Sequence, residues 1–129
     1  KVALQHAAEL LSRGTDLSTA QILQHLSRRE QLGSTFIGYG IAIPHARIPG
    51  VSQNKLCYCR FEEKISYDEH SARVLIGIAF TEEATDEHVA VLAKLAKIIH
   101  HKGSRQQLLH TNSKADVMRV LSPIVESFR

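Results

Sequence analysis

The segment Thr35–Gly50, TFIGYGIAIPHARIPG, sets one histidine, His45, among three glycines and two prolines, directly after the apolar run Ile41-Ala42-Ile43. Pro44 fixes its own backbone φ and keeps Ile43 extended, while Gly38 and Gly40 admit turns that other residues resist. His45 is therefore expected at the edge of a sheet with little freedom. Such rigidity suits a phosphoryl acceptor, because in-line transfer needs a nitrogen held in one direction. One imidazole nitrogen must stay unprotonated to attack, so the other should be tied to an acceptor such as a backbone carbonyl. The phosphoryl group would need cationic or N–H donors around it. A purely structural histidine is the competing reading of the same spacing.

Cys57 and Cys59 lie two apart in a strand-like stretch, which points both side chains to one face and places them poorly for bridging each other. They read as thiols packed as small hydrophobes in a reduced cytosol. None of the eight histidines has the spacing of a zinc motif, so no metal site is expected.

These residues must be positioned by a chain of 129 residues, 43% of them hydrophobic, which is the size of one domain with a real core. The formal charge is +3, but Lys and Arg are scattered, the densest clusters being Arg28-Arg29 and His100-His101-Lys102. A nucleic-acid face would need a basic stripe, so that partner is excluded. No run approaches the roughly eighteen apolar residues of a membrane span and no signal segment is present, which gives a soluble, cytoplasmic protein. The chain starts at Lys1, has its only Met at 118 and opens straight into a helical pattern, as a domain trimmed from a longer protein would.

Helical spacing covers Val2–Arg13 through Val2, Ala3, Ala7, Leu10 and Leu11, with Gly14 as the stop. Ser18, with Gln21 three residues on, caps a second helix whose apolar stripe is Ile22, Leu23 and Leu26 and which reaches Arg28-Arg29-Glu30. Ile41–Ile43 is a short strand, Lys55–Phe61 a weakly alternating one, and Arg73–Phe80 a continuous apolar run suited to the centre of a sheet. Thr85 caps a long helix with Asp86 and Glu87 in its first turn, an apolar stripe of Val89, Leu92, Ala96 and Ile99, and Gly103 as its stop. Ser113 with Asp116 opens a last helix, Lys114–Leu121, ended by Pro123. The fold class is α/β, a single domain over 1–129 with a small mixed sheet flanked by helices.

A longer pattern runs through the histidine segment: Glu30, then Ile37, Gly38, Ile41, Ala42, Ile43, Pro44, His45 and Ala46. At every place it resembles the active-site signature of the fructose-mannitol family of enzyme IIA domains of the bacterial phosphoenolpyruvate:sugar phosphotransferase system. REQLGST (29–35), ARVLIGIAF (72–80) and EHVAVLAKLA (87–96) also resemble that family, so the likeness covers nearly the whole chain.

The resemblance implies the single-domain enzyme IIA fold of mannitol and nitrogen type, and a phosphotransferase in which His45 takes phosphate from phosphohistidine on the carrier HPr and passes it to a cysteine of an EIIB domain. It makes His88 the second active-site histidine. If Thr85 is the cap, His88 also sits in a first turn, where free N–H groups favour an anion. It assigns Arg29 to the phosphoryl oxygens as a rigid fork, against the alternative of an arginine serving the end of its own helix. Arg47, on the side of His45 if the segment is extended, is a candidate for holding phosphate or partner. His6, His25, His70, His100, His101 and His110 match no family motif and read as solvated helix or loop positions. EEKISYDE (62–69) and TEEATDE (81–87) read as soluble loops or as a docking surface for a basic carrier.

No cofactor is implied, since the phosphate arrives already activated, and the only membrane connection would be to an EIIC permease through EIIB. The sugar is not implied. REQLGST resembles the nitrogen-regulatory branch, whereas ARVLIGIAF and the following helix resemble mannitol-type members. The alternatives to a transport phosphocarrier are thus a nitrogen-type regulator, an enzyme IIA-like domain of a transcription regulator, and a binding module that kept the fold without turnover.

Overall fold

The computed structural model describes residues 2–83 and 85–128. The chain divides into two compact units, Lys1–Glu83 and Ala84–Arg129. The first contains two helices and all the strands; the second contains three helices.

In the first unit α1 (Val2–Ser12) buries Ala3, Leu4, Ala7, Ala8 and Leu11, one face of a helix. Val2, expected in that stripe, is exposed, and Leu10 is only partly covered. Helix α2 (Thr19–Gln31) starts with the capping box read from the sequence: the Gln21 N–H donates to Ser18 Oγ, and the Ser18 N–H donates back to Gln21 Oε1 at 2.8 Å. It buries Ile22 and Leu26.

Five strands follow: β1 (Phe36–Gly38), β2 (Ile41–Ala42), β3 (His45–Arg47), β4 (Lys55–Tyr67) and β5 (His70–Phe80). The central place expected for the apolar run is taken by β5. Along one edge β2 and β3 lie end to end, both parallel to it, with Ile41 opposite Val74 and His45 opposite Ile78. Along the other edge β4 runs antiparallel, with Cys57 opposite Gly77. The strand expected over Ile41–Ile43 is thus split from β3 by Ile43-Pro44. The ladder survives the proline because its carbonyl, which needs no N–H, accepts from the Ile78 N–H at 3.0 Å. β1 returns as a hairpin on β2, and Gly38, Tyr39 and Gly40 turn it with φ of 106°, 58° and 77°. The two glycines supply positive φ without a steric penalty.

The acidic stretch EEKISYDE is mostly strand, since β4 continues to Tyr67 past an irregularity between Arg60 and Ile65. His70 likewise begins β5, its ring stacked on Phe36 at 4.3 Å, so it is not a loop residue.

The helices and the sheet share a core of Ala7, Leu11, Ile22, Leu26, Ala46, Cys57, Leu75 and Ala79 among others. Cys57 and Cys59 are free thiols, and burial pushes Cys57 up to about 12, so it stays protonated as the small hydrophobe expected. Gly77 leaves it room: a Cβ there would lie 2.8 Å from Cys57 Sγ and 3.4 Å from Ala7 Cβ. Overpacking of this kind costs about 1–3 kcal/mol. Gly77→Ala should lower the urea midpoint accordingly, and adding Cys57→Ala should recover part of the loss; an unchanged midpoint would refute this packing.

The second unit packs α3 (Thr85–His100), α4 (Lys102–His110) and α5 (Lys114–Ser127) against one another. Three expectations are corrected here. The buried stripe of α3 is Val91, Leu95 and Ile99, while Val89 is 68% exposed. Gly103 does not end that helix; the chain breaks at His101, whose Nδ1 accepts from the Ser104 N–H at 3.2 Å and caps the unanticipated α4. His101 is thus an N-cap. Pro123 lies inside α5, which runs on to Ser127. The bond lost at its nitrogen would have used the Arg119 carbonyl, and the Ser122 hydroxyl donates to that carbonyl instead at 3.0 Å. Ser113 caps α5 as expected, accepting from the Asp116 N–H.

Among the described residues no helix is long and apolar enough to cross a membrane. The architecture is the expected mixed α/β class, a small sheet with helices.

Candidate functional site

β3 fixes His45 from both neighbours in sequence. Ahead of it Pro44 bonds to β5, and behind it the Ile48 N–H donates to the Phe80 carbonyl at 2.9 Å. The imidazole is buried, 4% exposed, with the Phe80 ring edge-on at 6.4 Å. Its Nδ1 lies 2.7 Å from the Ile43 carbonyl oxygen. A carbonyl can only accept, so Nδ1 carries the proton and Nε2 of the neutral ring carries the lone pair. This is the tethering anticipated for a nucleophilic histidine. Ile43 is itself held on its other side, its N–H donating to the Thr35 carbonyl at 3.0 Å.

Beside β3 opens a cavity of about 940 Å³. One wall is His25, Arg28 and Arg29 of α2 with its C-cap Leu32; Ala46 and Arg47 of β3 and the carboxylate-bearing Glu82 and Glu83 complete the part that matters for charge. Three guanidiniums and an imidazole thus share one concave surface with two carboxylates. Arg29 and Arg47 are therefore brought together in one cavity. His45 does not itself line it, although its two following residues do.

Arg29 donates from one guanidinium nitrogen to the Gly33 carbonyl at 2.9 Å, beyond the end of α2. The helix-end role and the place in the cavity thus coexist in one side chain: the bond uses one N–H of a group that has five. Arg47 is exposed and ends the extended strand β3.

His88 is half-buried in the first turn of α3, in the second unit. Thr85 is the first residue of that helix and not its cap, and the preceding Ala84 lies outside the described residues. His88 is therefore the fourth residue of α3, one position past the three helical residues whose N–H groups lack intrahelical acceptors.

Sequence reasoning overlooked His25 and Arg28 as members of this cavity, though the signal was present: 25, 28, 29 and 32 follow the i, i+3, i+4, i+7 spacing of one helix face. Glu82 and Glu83 of TEEATDE sit in a turn at the cavity. It also gave no role to Glu30, whose carboxylate accepts from the Thr35 N–H at 3.0 Å, from the Thr35 hydroxyl and from the Tyr67 hydroxyl at 2.9 Å. Burial, above all, raises the Tyr67 pKa, so the phenol stays a donor. Thr35 and Tyr67 are both buried.

Residues 1–123 match the family model described as the phosphoenolpyruvate-dependent sugar phosphotransferase system, EIIA 2. The fructose-specific EIIA component of Haloferax volcanii is 33% identical over 107 residues, covering 81% of this chain and 70% of that protein. The crystal structure of the nitrogen regulatory protein IIA-Ntr of Neisseria meningitidis superposes with a TM-score of 0.85 at 35% identity, covering 92% of this chain and 84% of that one. The mannitol enzyme IIA of Escherichia coli, solved in complex with phosphorylated mannitol enzyme IIB, gives 0.77 at 26% identity, with coverage of 95% and 86%. Longer relatives are matched in part only: the chain spans 15% of the Bacillus subtilis fructose-specific EIIABC component and 19% of the E. coli mannitol-specific EIICBA component.

Proposed function

Because the chain belongs to the EIIA 2 family of the phosphoenolpyruvate-dependent sugar phosphotransferase system, we propose that it is a phosphocarrier that accepts a phosphoryl group from phospho-HPr on His45 Nε2 and hands it to a cysteine of an EIIB domain. The observation that carries this reading is the bond from His45 Nδ1 to the Ile43 carbonyl, within a segment otherwise fixed to β5. The Nε2 lone pair forms a new N–P bond as the donor's N–P bond breaks, and that bond's electron pair returns to the donor ring. The Nδ1 proton stays where it is, and the Ile43 carbonyl stabilises the positive charge the ring acquires. In the second step a cysteine thiolate attacks phosphorus and the electron pair of the N–P bond returns to Nε2.

Arg29 and Arg47 hold the phosphoryl oxygens, and His88 serves as the second active-site histidine. The support for Arg29 and Arg47 is their shared cavity; for His88 it is the family likeness of the chain around it. The EIIB partner is supported by the mannitol enzyme IIA solved with enzyme IIB and by the fused relatives, through which an EIIC permease would be reached on the cytoplasmic side. No cofactor is needed, since the donor phosphohistidine is already activated.

One observation favours a second reading, a regulator that is phosphorylated without feeding a permease: the likeness to the N. meningitidis nitrogen regulatory protein, at 35% identity, exceeds the 26% to the mannitol enzyme. A chase separates them. Phosphorylated protein mixed with fructose- and mannitol-type EIIB domains should lose its phosphate to the EIIB cysteine; retention of phosphate with both would favour the regulatory reading.

A further inference from the structure

The Glu30 carboxylate lies at the start of an unbroken chain of hydrogen bonds that ends on the attacking ring. It holds the Thr35 peptide by its N–H at 3.0 Å and the Thr35 side chain by its hydroxyl. Tyr67, the last residue of β4, closes the cluster, 2.9 Å from Glu30 and 2.7 Å from Thr35 Oγ1. The Thr35 carbonyl accepts from the Ile43 N–H at 3.0 Å, and the Ile43 carbonyl accepts from His45 Nδ1 at 2.7 Å. Thr35 and Ile43 are each bonded at both their N–H and their carbonyl, and Pro44 keeps Ile43 extended, so the Ile43 carbonyl has little room to turn. The orientation of the Ile43 carbonyl decides both where the imidazole points and which of its nitrogens keeps the proton.

We propose that Glu30 is a positioning residue for phosphoryl transfer: through Thr35 and the Ile43 peptide it fixes the direction and tautomer of the His45 ring, without touching the phosphoryl group. The side chains it binds are buried, whereas the cavity arginines come from the neighbouring helix face. The reach and the two terminal oxygens of its side chain make Glu30 suitable, since together they meet one N–H and two hydroxyls. Tyr67 ties the far end of β4 into the same cluster and keeps water from competing for those bonds. The inference rests on the phosphocarrier reading for its kinetic arm only.

The test compares wild type, Glu30→Ala and Glu30→Gln by two measurements. The first is the 15N spectrum of the His45 ring without phosphate. Wild type should show Nδ1 protonated and Nε2 bare, Glu30→Ala an averaged mixture of tautomers, and Glu30→Gln the wild-type pattern, because its amide oxygen can take the Thr35 N–H while its NH2 donates to the two hydroxyls. The second is phosphorylation by phospho-HPr, where kcat should fall about tenfold or more in Glu30→Ala with KM for the donor within about twofold, and recover in Glu30→Gln. A folded Glu30→Ala with the wild-type ring spectrum and kcat would overturn the proposal. If Glu30→Ala does not fold, Glu30→Asp, charged but one methylene short, replaces it: a shifted ring spectrum supports the relay, and an unshifted spectrum with wild-type kcat overturns it. Absence of phosphorylation in wild type would sink the phosphocarrier reading while the ring spectra still decide the role of Glu30.

Discussion

His45→Ala should take up no phosphate from phosphoenolpyruvate, enzyme I and HPr above background, a loss of at least about 10³-fold, because the variant lacks the proposed acceptor nitrogen. The size of the effect follows from the site having one tethered nucleophile. Cationic groups at a cavity stabilise a transferring group but cannot accept it. Removing a buried imidazole also leaves the Ile43 carbonyl without its donor, which costs about 1–3 kcal/mol of stability in its own right. His45→Gln is therefore the companion variant: its amide N–H can reach for the carbonyl, it should melt closer to wild type, and it should be equally inert. Phosphate on a folded His45→Gln would show that another residue is the acceptor.

Arg29→Ala should slow phosphorylation by about 10²-fold or more, the size found when one preorganised donor to a transition-state charge is removed. The informative variant is Arg29→Lys. Lysine keeps a positive charge near the C-terminal end of α2, so the helix-end role survives and stability should stay near wild type. It loses the planar fork that can hold two phosphoryl oxygens while still reaching the Gly33 carbonyl, so the rate should fall about tenfold. A rate within about twofold of wild type, under ~0.5 kcal/mol of barrier, would reduce Arg29 to a helix-end residue.

What was legible in the chain was what local rules write there. The Ser18–Gln21 capping box spans three residues, the β5 run shows burial on both faces by composition, and the His45 segment is constrained by its own Pro and Gly. β1 and β3 were missed because strands of three residues have no period to detect. The far half of β4 was hidden because Glu62, Glu63 and Lys64 are exposed and hide the alternation of a strand paired only with β5 there. α5 outlasts Pro123 because the Ser122 hydroxyl satisfies the freed carbonyl, and a breaker rule cannot see that neighbour's bond. At the site, the α2 face was available from spacing but was taken one residue at a time, which left His25 among the solvated histidines. The Glu30–Tyr67 contact joins residues 37 apart in sequence, so no local pattern carries it.

Nε2 of His45 is the atom proposed to take the phosphate. 31P–15N NMR of ring-labelled protein after phosphorylation by phospho-HPr measures this directly. The account predicts a single phosphorus coupled to Nε2 of His45, with Nδ1 still protonated on the Ile43 carbonyl. Phosphorus coupled to Nδ1, or to another histidine, would contradict it.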